Sequence, residues 1–218
     1  MQKERRKTFL SALLLLGAFV LWTLAVVFLD VRPIGPDGAE VGLATVNGFF
    51  HRLTGVHMSL YTVTDRLSIV PLGFVAAFAA QGLLQWIRRK RLLAVDKKLL
   101  LLGLFYATVL AVYVLFEIVP VNTRPVLIEG IAENSYPSST TVLVLCVMPS
   151  ACRYLKTYIR SRLGGRCITL ACVIFTACMI IGRAVSGVHW LSDIVGGILL
   201  SADFLMMYRT FLPWAERR

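Results

Sequence analysis

Long apolar runs separated by short polar stretches dominate this sequence of 218 residues. A membrane-spanning helix needs about 20 mostly apolar residues, and six runs reach or approach that length. They cover residues 8–29, 68–87, 99–119, 139–155, 167–185 and 190–211. The first run is too long for a secretory signal sequence, and no small-residue cleavage site follows it. The pattern therefore predicts an all-α, polytopic membrane protein with six transmembrane helices.

A second helical pattern lies between the first two runs. In residues 41–60, apolar side chains recur mostly at spacings of three and four, which is typical of an amphipathic helix. Such a helix outside the spans is expected to lie in the plane of the membrane interface, although it could instead cover a site that opens toward lipid. No internal repeat, low-complexity stretch or linker is found, so residues 1–218 are predicted to form one domain.

The composition agrees with a membrane location. Hydrophobic residues make up 57% of the chain and charged residues 16%, whereas soluble domains have about 45–50% and about 25%. A soluble fold of this size could not bury so many apolar side chains. This composition excludes intrinsic disorder and argues against a soluble enzyme. The five cysteines lie in or beside apolar runs, so a disulfide framework is not expected.

The basic residues predict the orientation. A net charge of +11 alone could suggest a nucleic-acid partner, but the charges lie in blocks between apolar runs, as in membrane proteins. Of the 23 Lys and Arg residues, 18 fall in the N-terminal segment, in the loops after the second and fourth runs, and at the C-terminus, where Arg217 and Arg218 are included. Because positive charge collects on the cytoplasmic face, both termini are predicted to be cytoplasmic, and no nucleic-acid partner is expected.

Polar residues gather at the opposite ends of the predicted spans. They occupy residues 117–125 (EIVPVNTRP), 136–141 (YPSSTT) and 182–193 (GRAVSGVHWLSD). His189 and Asp193 are four residues apart at the start of a helix and therefore share a face. A carboxylate beside an imidazole fixes its tautomer and supports positive charge on the ring, as a nucleophilic or basic histidine requires.

Two arginines and a serine are predicted to bind an anion at the same level. Arg124 and Arg183 could present a pair of guanidinium forks, which suit a phosphate dianion better than a neutral ligand. Ser138 adds a hydroxyl and the N–H groups of a helix start. A simpler alternative is that the arginines extend to lipid headgroups and His189 caps a helix. The convergence of all these residues on one side favours the phosphate site.

These segments resemble the signature of the type-2 phosphatidic acid phosphatase superfamily, integral-membrane lipid phosphatases with six spans. That signature reads K-x6-R-P, then P-S-G-H, then S-R-x5-H-x3-D. The chain has Arg124 followed by Pro125, Pro137 followed by Ser138, and then Arg183, His189 and Asp193 at the spacing of the third part. The third part is the most specific. By motif the resemblance covers residues 117–193, and by its six-span layout it covers the whole chain.

The resemblance implies a mechanism that needs no metal ion or other cofactor. His189 would attack phosphorus and become a phosphohistidine, while Asp193 holds its ring. Arg124, Arg183 and Ser138 would bind the phosphoryl oxygens at an active site on the extracytoplasmic face. The implied substrate is a lipid phosphomonoester or a polyprenyl diphosphate.

The chain departs from that signature at four positions. Ser139 replaces the glycine and Gly182 replaces the serine, and both changes are mild. Glu117 stands where a lysine is expected, and it could pair with Arg124 or itself serve as an acid. Thr140 stands where the family has the histidine that protonates the departing oxygen, and threonine cannot donate a proton usefully near pH 7. General acid catalysis contributes about 10²–10⁴-fold, so turnover is expected to suffer more than binding.

Glu117 and Ser139 are therefore candidate substrate-binding residues, and Thr140 marks the catalytic position of the missing acid. Two alternatives to an active phosphatase stay open at this point. One is a catalytically weak relative that binds lipid phosphate without turning it over. The other is a small six-span transporter or lipid-handling protein whose arginines line a pathway, although the inverted repeats and broken helices of transporters are not found.

Overall fold

The computed structural model describes residues 2–216 of the chain. This part is 76% helical and has no β-strand, which confirms the predicted all-α class. Arg217 and Arg218, which the sequence places among the cytoplasmic charges, lie outside the described residues. The helices are α1 (Gln2–Phe28), α2 (Ala44–Thr54), α3 (Met58–Leu67), α4 (Ile69–Arg89), α5 (Lys97–Ile118), α6 (Ser139–Leu155), α7 (Arg162–Val185) and α8 (Leu191–Ala215).

Helices form at all six predicted spans, and the protein is an integral membrane protein. Five helical stretches within residues 2–216 are long and apolar enough to cross a membrane. The remaining predicted span, α6, is shorter. Its 17 residues cover about 26 Å at a rise of about 1.5 Å per residue. It packs against α4, α5, α7 and α8, and most of its residues are buried. Thus α6 is an enclosed helix in the middle of the bundle.

The apolar stripe predicted in residues 41–60 is divided between two helices. Gly55 has a left-handed φ of +69° and ends α2, and α3 begins three residues later. Only Ser68 separates α3 from α4, so residues Met58–Arg89 form one long apolar stretch. Large apolar side chains on α2 and α3 remain exposed, among them Phe49 and Leu53, which suits a position at the membrane interface.

The bundle is organised around α8, which packs against α1, α5, α6 and α7. Half of the most apolar window of α8 is buried, against 11% in the α3–α4 stretch. The outward faces of α1, α4, α5 and α7 expose large apolar side chains, as lipid contact requires. The exposed apolar residues include Leu14, Leu21, Ile87, Leu104 and Leu170.

A close approach at Gly196 fits α8 against the segment that leads into α6. A Cβ atom at Gly196 would lie 2.6 Å from the ring of Tyr136, so a larger residue would push the two segments apart. The Tyr136 hydroxyl lies 2.7 Å from Oγ1 of Thr23 on α1 and forms a hydrogen bond with it. The beginnings of α6 and α8 are therefore held side by side, and this is where the candidate site lies.

Candidate active site

His189 lies in the loop between α7 and α8, at the end of the bundle where α5 and α7 end and α6 and α8 begin. We call this the site end. The loop turns at Gly187, which has a left-handed φ of +68°. A Cβ atom there would lie 1.9 Å from the carbonyl oxygen of Gly55, so the loop is pressed against the turn between α2 and α3. Position 187 therefore requires glycine, because the backbone is left-handed there and no room is left for a side chain.

Asp193 is completely buried beside His189. The Oδ2 atom of Asp193 lies 3.7 Å from Nδ1 of His189, a distance that allows charge attraction but is too long for a hydrogen bond. The same oxygen accepts the backbone N–H of Trp190 at 2.9 Å and so caps the start of α8. The side-chain amide of Asn122 donates to Oδ1 at 3.3 Å. These bonds fix the carboxylate in place next to the imidazole.

The other ring nitrogen of His189 faces Arg124. Nε2 lies 3.4 Å from Nη1 of Arg124, and because a guanidinium only donates, Nε2 is the acceptor. The neutral ring then carries its proton on Nδ1, which faces Asp193. Burial lowers the pKa of His189 to about 4, an effect that Asp193 opposes only in part. The imidazole is therefore neutral near pH 7, with the electron pair on Nε2 that a nucleophile needs.

Arg124 comes from the segment between α5 and α6 and forms its ion pair with an acid that the sequence did not indicate. Its Nε atom lies 2.9 Å from Oε2 of Glu133. Glu117, which the sequence suggested as a partner, lies near the end of α5, where its carbonyl oxygen accepts a hydrogen bond from the side chain of Asn134. Within residues 2–216, Arg124 is thus paired with Glu133 rather than with Glu117.

Arg183 is almost completely buried near the end of α7. Its Nη2 atom donates to Oγ1 of Thr140 at 2.7 Å and lies 3.3 Å from Oδ1 of Asp65. Its Nε and Nη1 atoms have no hydrogen-bond partner among the described residues. A buried donor without a partner costs about 1–3 kcal/mol, which a bound anion would offset. The unpartnered nitrogens of Arg183 therefore indicate an anion site.

One aromatic ring on α3 supports both arginines. The guanidinium carbons of Arg183 and Arg124 lie 4.8 Å and 5.7 Å from the centre of the Tyr61 ring, within the range of cation–π attraction. Asp65 lies one turn further along α3 and points to Arg183. Neither α3 residue was singled out from the sequence. The available signal was that Asp65 is the one carboxylate between Glu40 and Asp96 and stands three residues before an apolar run.

The three residues at the start of α6, Ser138, Ser139 and Thr140, differ from one another in their surroundings. Ser138 is fully buried, its N–H donates to the carbonyl oxygen of Asp193 at 3.1 Å, and its hydroxyl accepts from Thr141. Ser138 thus links α6 to α8, and its predicted role in substrate binding stays a prediction. Ser139 and Thr140 instead line a cavity.

That cavity has a volume of about 1300 Å³ and combines a polar end with a long apolar part. Asp65, Glu117, Arg124, Glu133, Ser139, Thr140 and His189 line the polar end. The apolar part lies between α4 and α5 and reaches Trp86, Leu92 and Val95. From Ser68 to Trp86, α4 rises about 27 Å, close to the hydrocarbon thickness of a bilayer, about 30 Å. The site is therefore continuous with an apolar cavity nearly as long as the membrane is thick.

Comparison with known proteins points to one family. Residues 118–217 match the family model described as the PAP2 superfamily, and this range contains Arg124, Arg183, His189 and Asp193. The fold is similar to the crystal structure of a transmembrane PAP2-type phosphatidylglycerolphosphate phosphatase from Bacillus subtilis, with a TM-score of 0.65, 17% identity and coverage of 94% of this chain and 98% of that chain. No curated protein matches the chain significantly. The sequence match is thus confined to residues 118–217, while the likeness in fold extends over nearly the whole chain.

Proposed function

We propose that this chain is a PAP2-type membrane phosphatase that hydrolyses a lipid phosphomonoester or a polyprenyl diphosphate, with His189 as the nucleophile. The observation that carries the proposal is the position of His189. Its neutral ring lies between Asp193 and Arg124 at the polar end of a cavity that is otherwise apolar.

The arginines account for recognition of the phosphate. The unpartnered nitrogens of Arg183 and the Nη1 atom of Arg124 offer charged donors, which bind phosphoryl oxygens more strongly than neutral ones do. Arg124 Nη1 is also 3.4 Å from Nε2 of His189, so an oxygen bound to this arginine lies close to the nucleophile. The same donors stabilise the charge that develops on the phosphoryl oxygens in the transition state.

The reaction follows from the state of the ring. Nε2 of His189 attacks phosphorus, and the bond to the leaving oxygen breaks with its electron pair on that oxygen. The ring of the phosphohistidine still carries the proton on Nδ1 and is positively charged, and the buried carboxylate of Asp193 stabilises that charge from 3.7 Å. Water then attacks phosphorus, phosphate is released, and the electron pair returns to Nε2.

The apolar part of the cavity favours a substrate with a long hydrocarbon chain. Each methylene group that leaves water contributes about 0.8 kcal/mol. A chain along α4 and α5 would place the phosphate at His189 while its tail stays at membrane depth. A small soluble phosphate would forgo this contribution.

Tryptophan at Gly82 should obstruct the apolar part of the cavity. Gly82 on α4 lines the cavity, and a Cβ atom there has no atom within 4 Å. If the side chain displaces about two methylene groups, KM for a long-chain lipid phosphate should rise about tenfold, while KM for a short-chain analogue should change little. The measurement is phosphate release in detergent micelles at a series of substrate concentrations.

Gly73→Trp is the matched control for this experiment. Gly73 lies on the same helix, also has open space around its Cβ position, and is not among the residues that line the cavity. Gly73→Trp should leave KM unchanged for both the long-chain and the short-chain substrate. Equal effects of the two tryptophans, or an equal loss for long and short chains in Gly82→Trp, would contradict the assignment of the tail to this cavity.

We further propose that the site end faces away from the cytoplasm, since 18 of the 23 basic residues fall in the segments assigned to the other side. Single cysteines at the exposed positions Glu40 and Glu129, in a background without the native cysteines, should react with an impermeant thiol reagent in intact cells. A cysteine at Arg160, in the loop between α6 and α7, should react only after the membrane is permeabilised. The reverse labelling pattern would refute this orientation.

A further inference from the structure

Thr140 cannot protonate a leaving group, but a carboxylate lies next to it. The Nη2 atom of Arg183 is 2.7 Å from Oγ1 of Thr140 and 3.3 Å from Oδ1 of Asp65, so the two oxygens are at most about 6 Å apart. Both residues line the cavity that also contains His189. The carboxylate therefore lies beside the position where the resemblance places the acid histidine.

We propose that Asp65 is the residue that protonates the leaving oxygen, in place of the histidine that Thr140 replaces. This inference rests on the proposed phosphatase function. It assigns a catalytic role to α3, a helix outside the segments of the family signature and outside the matched range of residues 118–217.

The other two acids of the cavity are placed differently. Glu133 pairs with Arg124, the arginine that contacts Nε2 of His189, and so it lies on the side of the nucleophile. In an in-line displacement the leaving oxygen departs on the side opposite the nucleophile. Glu117 lies near the end of α5 and has no arginine partner among the described ion pairs. Asp65 is the acid next to both Arg183 and Thr140.

The surroundings of Asp65 explain how it acquires a proton. In the free site the carboxylate pairs with the guanidinium of Arg183, and the ring of Tyr61 lies under that guanidinium. A phosphate monoanion bound to the free nitrogens of Arg183 would lie beside this carboxylate. A phosphate monoester has its second ionisation near pH 6, so its monoanion supplies that proton.

The proton and the electron pairs balance over the two steps. In the first step the bond from Nε2 of His189 to phosphorus forms, the bond to the leaving oxygen breaks, and that oxygen takes the proton from Asp65. In the second step the oxygen of water bonds to phosphorus and gives its proton to the Asp65 carboxylate. The bond from phosphorus to Nε2 breaks and returns its electron pair to the ring.

Asp65→Asn tests the role of the carboxyl group, because asparagine keeps the size of the side chain and an oxygen for Arg183 but cannot transfer the proton. For a lipid alkyl phosphate such as phosphatidate, turnover of the full chain in detergent should fall about 10²–10⁴-fold. For p-nitrophenyl phosphate, whose leaving group is a much weaker base, it should fall less than about tenfold. An equal loss for both esters would show that Asp65 only holds Arg183 and would overturn the proposal, as would unchanged turnover of phosphatidate.

Two further variants sharpen the test. Asp65→Glu retains an acid and should keep more turnover of phosphatidate than Asp65→Asn. Thr140→His in the wild-type background should raise that turnover by less than about tenfold, because a proton donor is already present. A gain of about 10²–10⁴-fold would show that the wild type has no acid, and Asp65 would lose its role. If the folded wild type releases phosphate from neither ester nor from a polyprenyl diphosphate, the proposed function itself fails, which is a different outcome from an Asp65→Asn variant that matches an active wild type.

Discussion

His189→Ala should abolish phosphate release from every substrate that the wild type hydrolyses. The variant removes the nitrogen that we propose attacks phosphorus, and losses of a nucleophile in hydrolases reach about 10⁴-fold or more. The buried ring is also the group that Arg124 and Asp193 flank, and within residues 2–216 no other imidazole lines the cavity. The measurement is inorganic phosphate released per molecule of purified protein, with thermal unfolding in detergent to show that the variant is folded.

His57→Ala is the matched control for that variant. His57 is exposed, and its ring contacts the carbonyl oxygen of Thr54 rather than the cavity. This variant should retain wild-type turnover. Wild-type turnover in His189→Ala would remove the proposed mechanism.

Arg183→Lys should lower kcat/KM by about 10²–10³-fold although it preserves the charge, as removal of one preorganised donor does in other enzymes. The guanidinium of Arg183 contacts Thr140 and Asp65 through one nitrogen and leaves two nitrogens for the substrate. A lysine presents a single ammonium group, which cannot maintain these contacts and offer the planar fork as well. The loss should therefore appear for alkyl and aryl phosphates alike, in contrast to Asp65→Asn.

Arg66→Lys is the control for the exchange of arginine for lysine. Arg66 follows Asp65 on α3, is exposed and does not line the cavity. Its replacement should leave kcat/KM within about twofold of the wild type, in line with other surface substitutions. A wild-type value for Arg183→Lys would show that the fork of Arg183 does not bind the phosphate.

The sequence predicted the fold well because lipid imposes a simple rule on it. A helix that crosses the bilayer must carry a long apolar run, and each of the six predicted runs forms a helix. The same rule could not show that α6 is enclosed by other helices, because a mostly apolar run of 17 residues can be buried in protein or in lipid. The prediction that the chain forms a single domain stays a prediction.

The part of the candidate site that could be predicted consists of residues that follow one another at a recognisable spacing. His189, Asp193 and Arg183 are close along the chain, and the structure brings them together with Arg124. Asp65 and Glu133 could not be recognised in this way, because their arginine partners are set by the packing of α3 against α7 and by the loop before α6. The expectation of reduced turnover rests on Thr140 and Glu117 and takes no account of Asp65. It stays a prediction.

The most direct test of the mechanism is detection of the phosphorylated enzyme. Purified protein is mixed with phosphatidate labelled on phosphorus, quenched rapidly under alkaline conditions that preserve phosphohistidine, and analysed by mass spectrometry of its peptides. We predict a phosphoryl group on His189 that forms and decays during turnover in the wild type and is absent from His189→Ala. Turnover with no phosphorylated enzyme on the time scale of the reaction, or with the phosphoryl group on another residue, would contradict the assignment of His189 as the nucleophile.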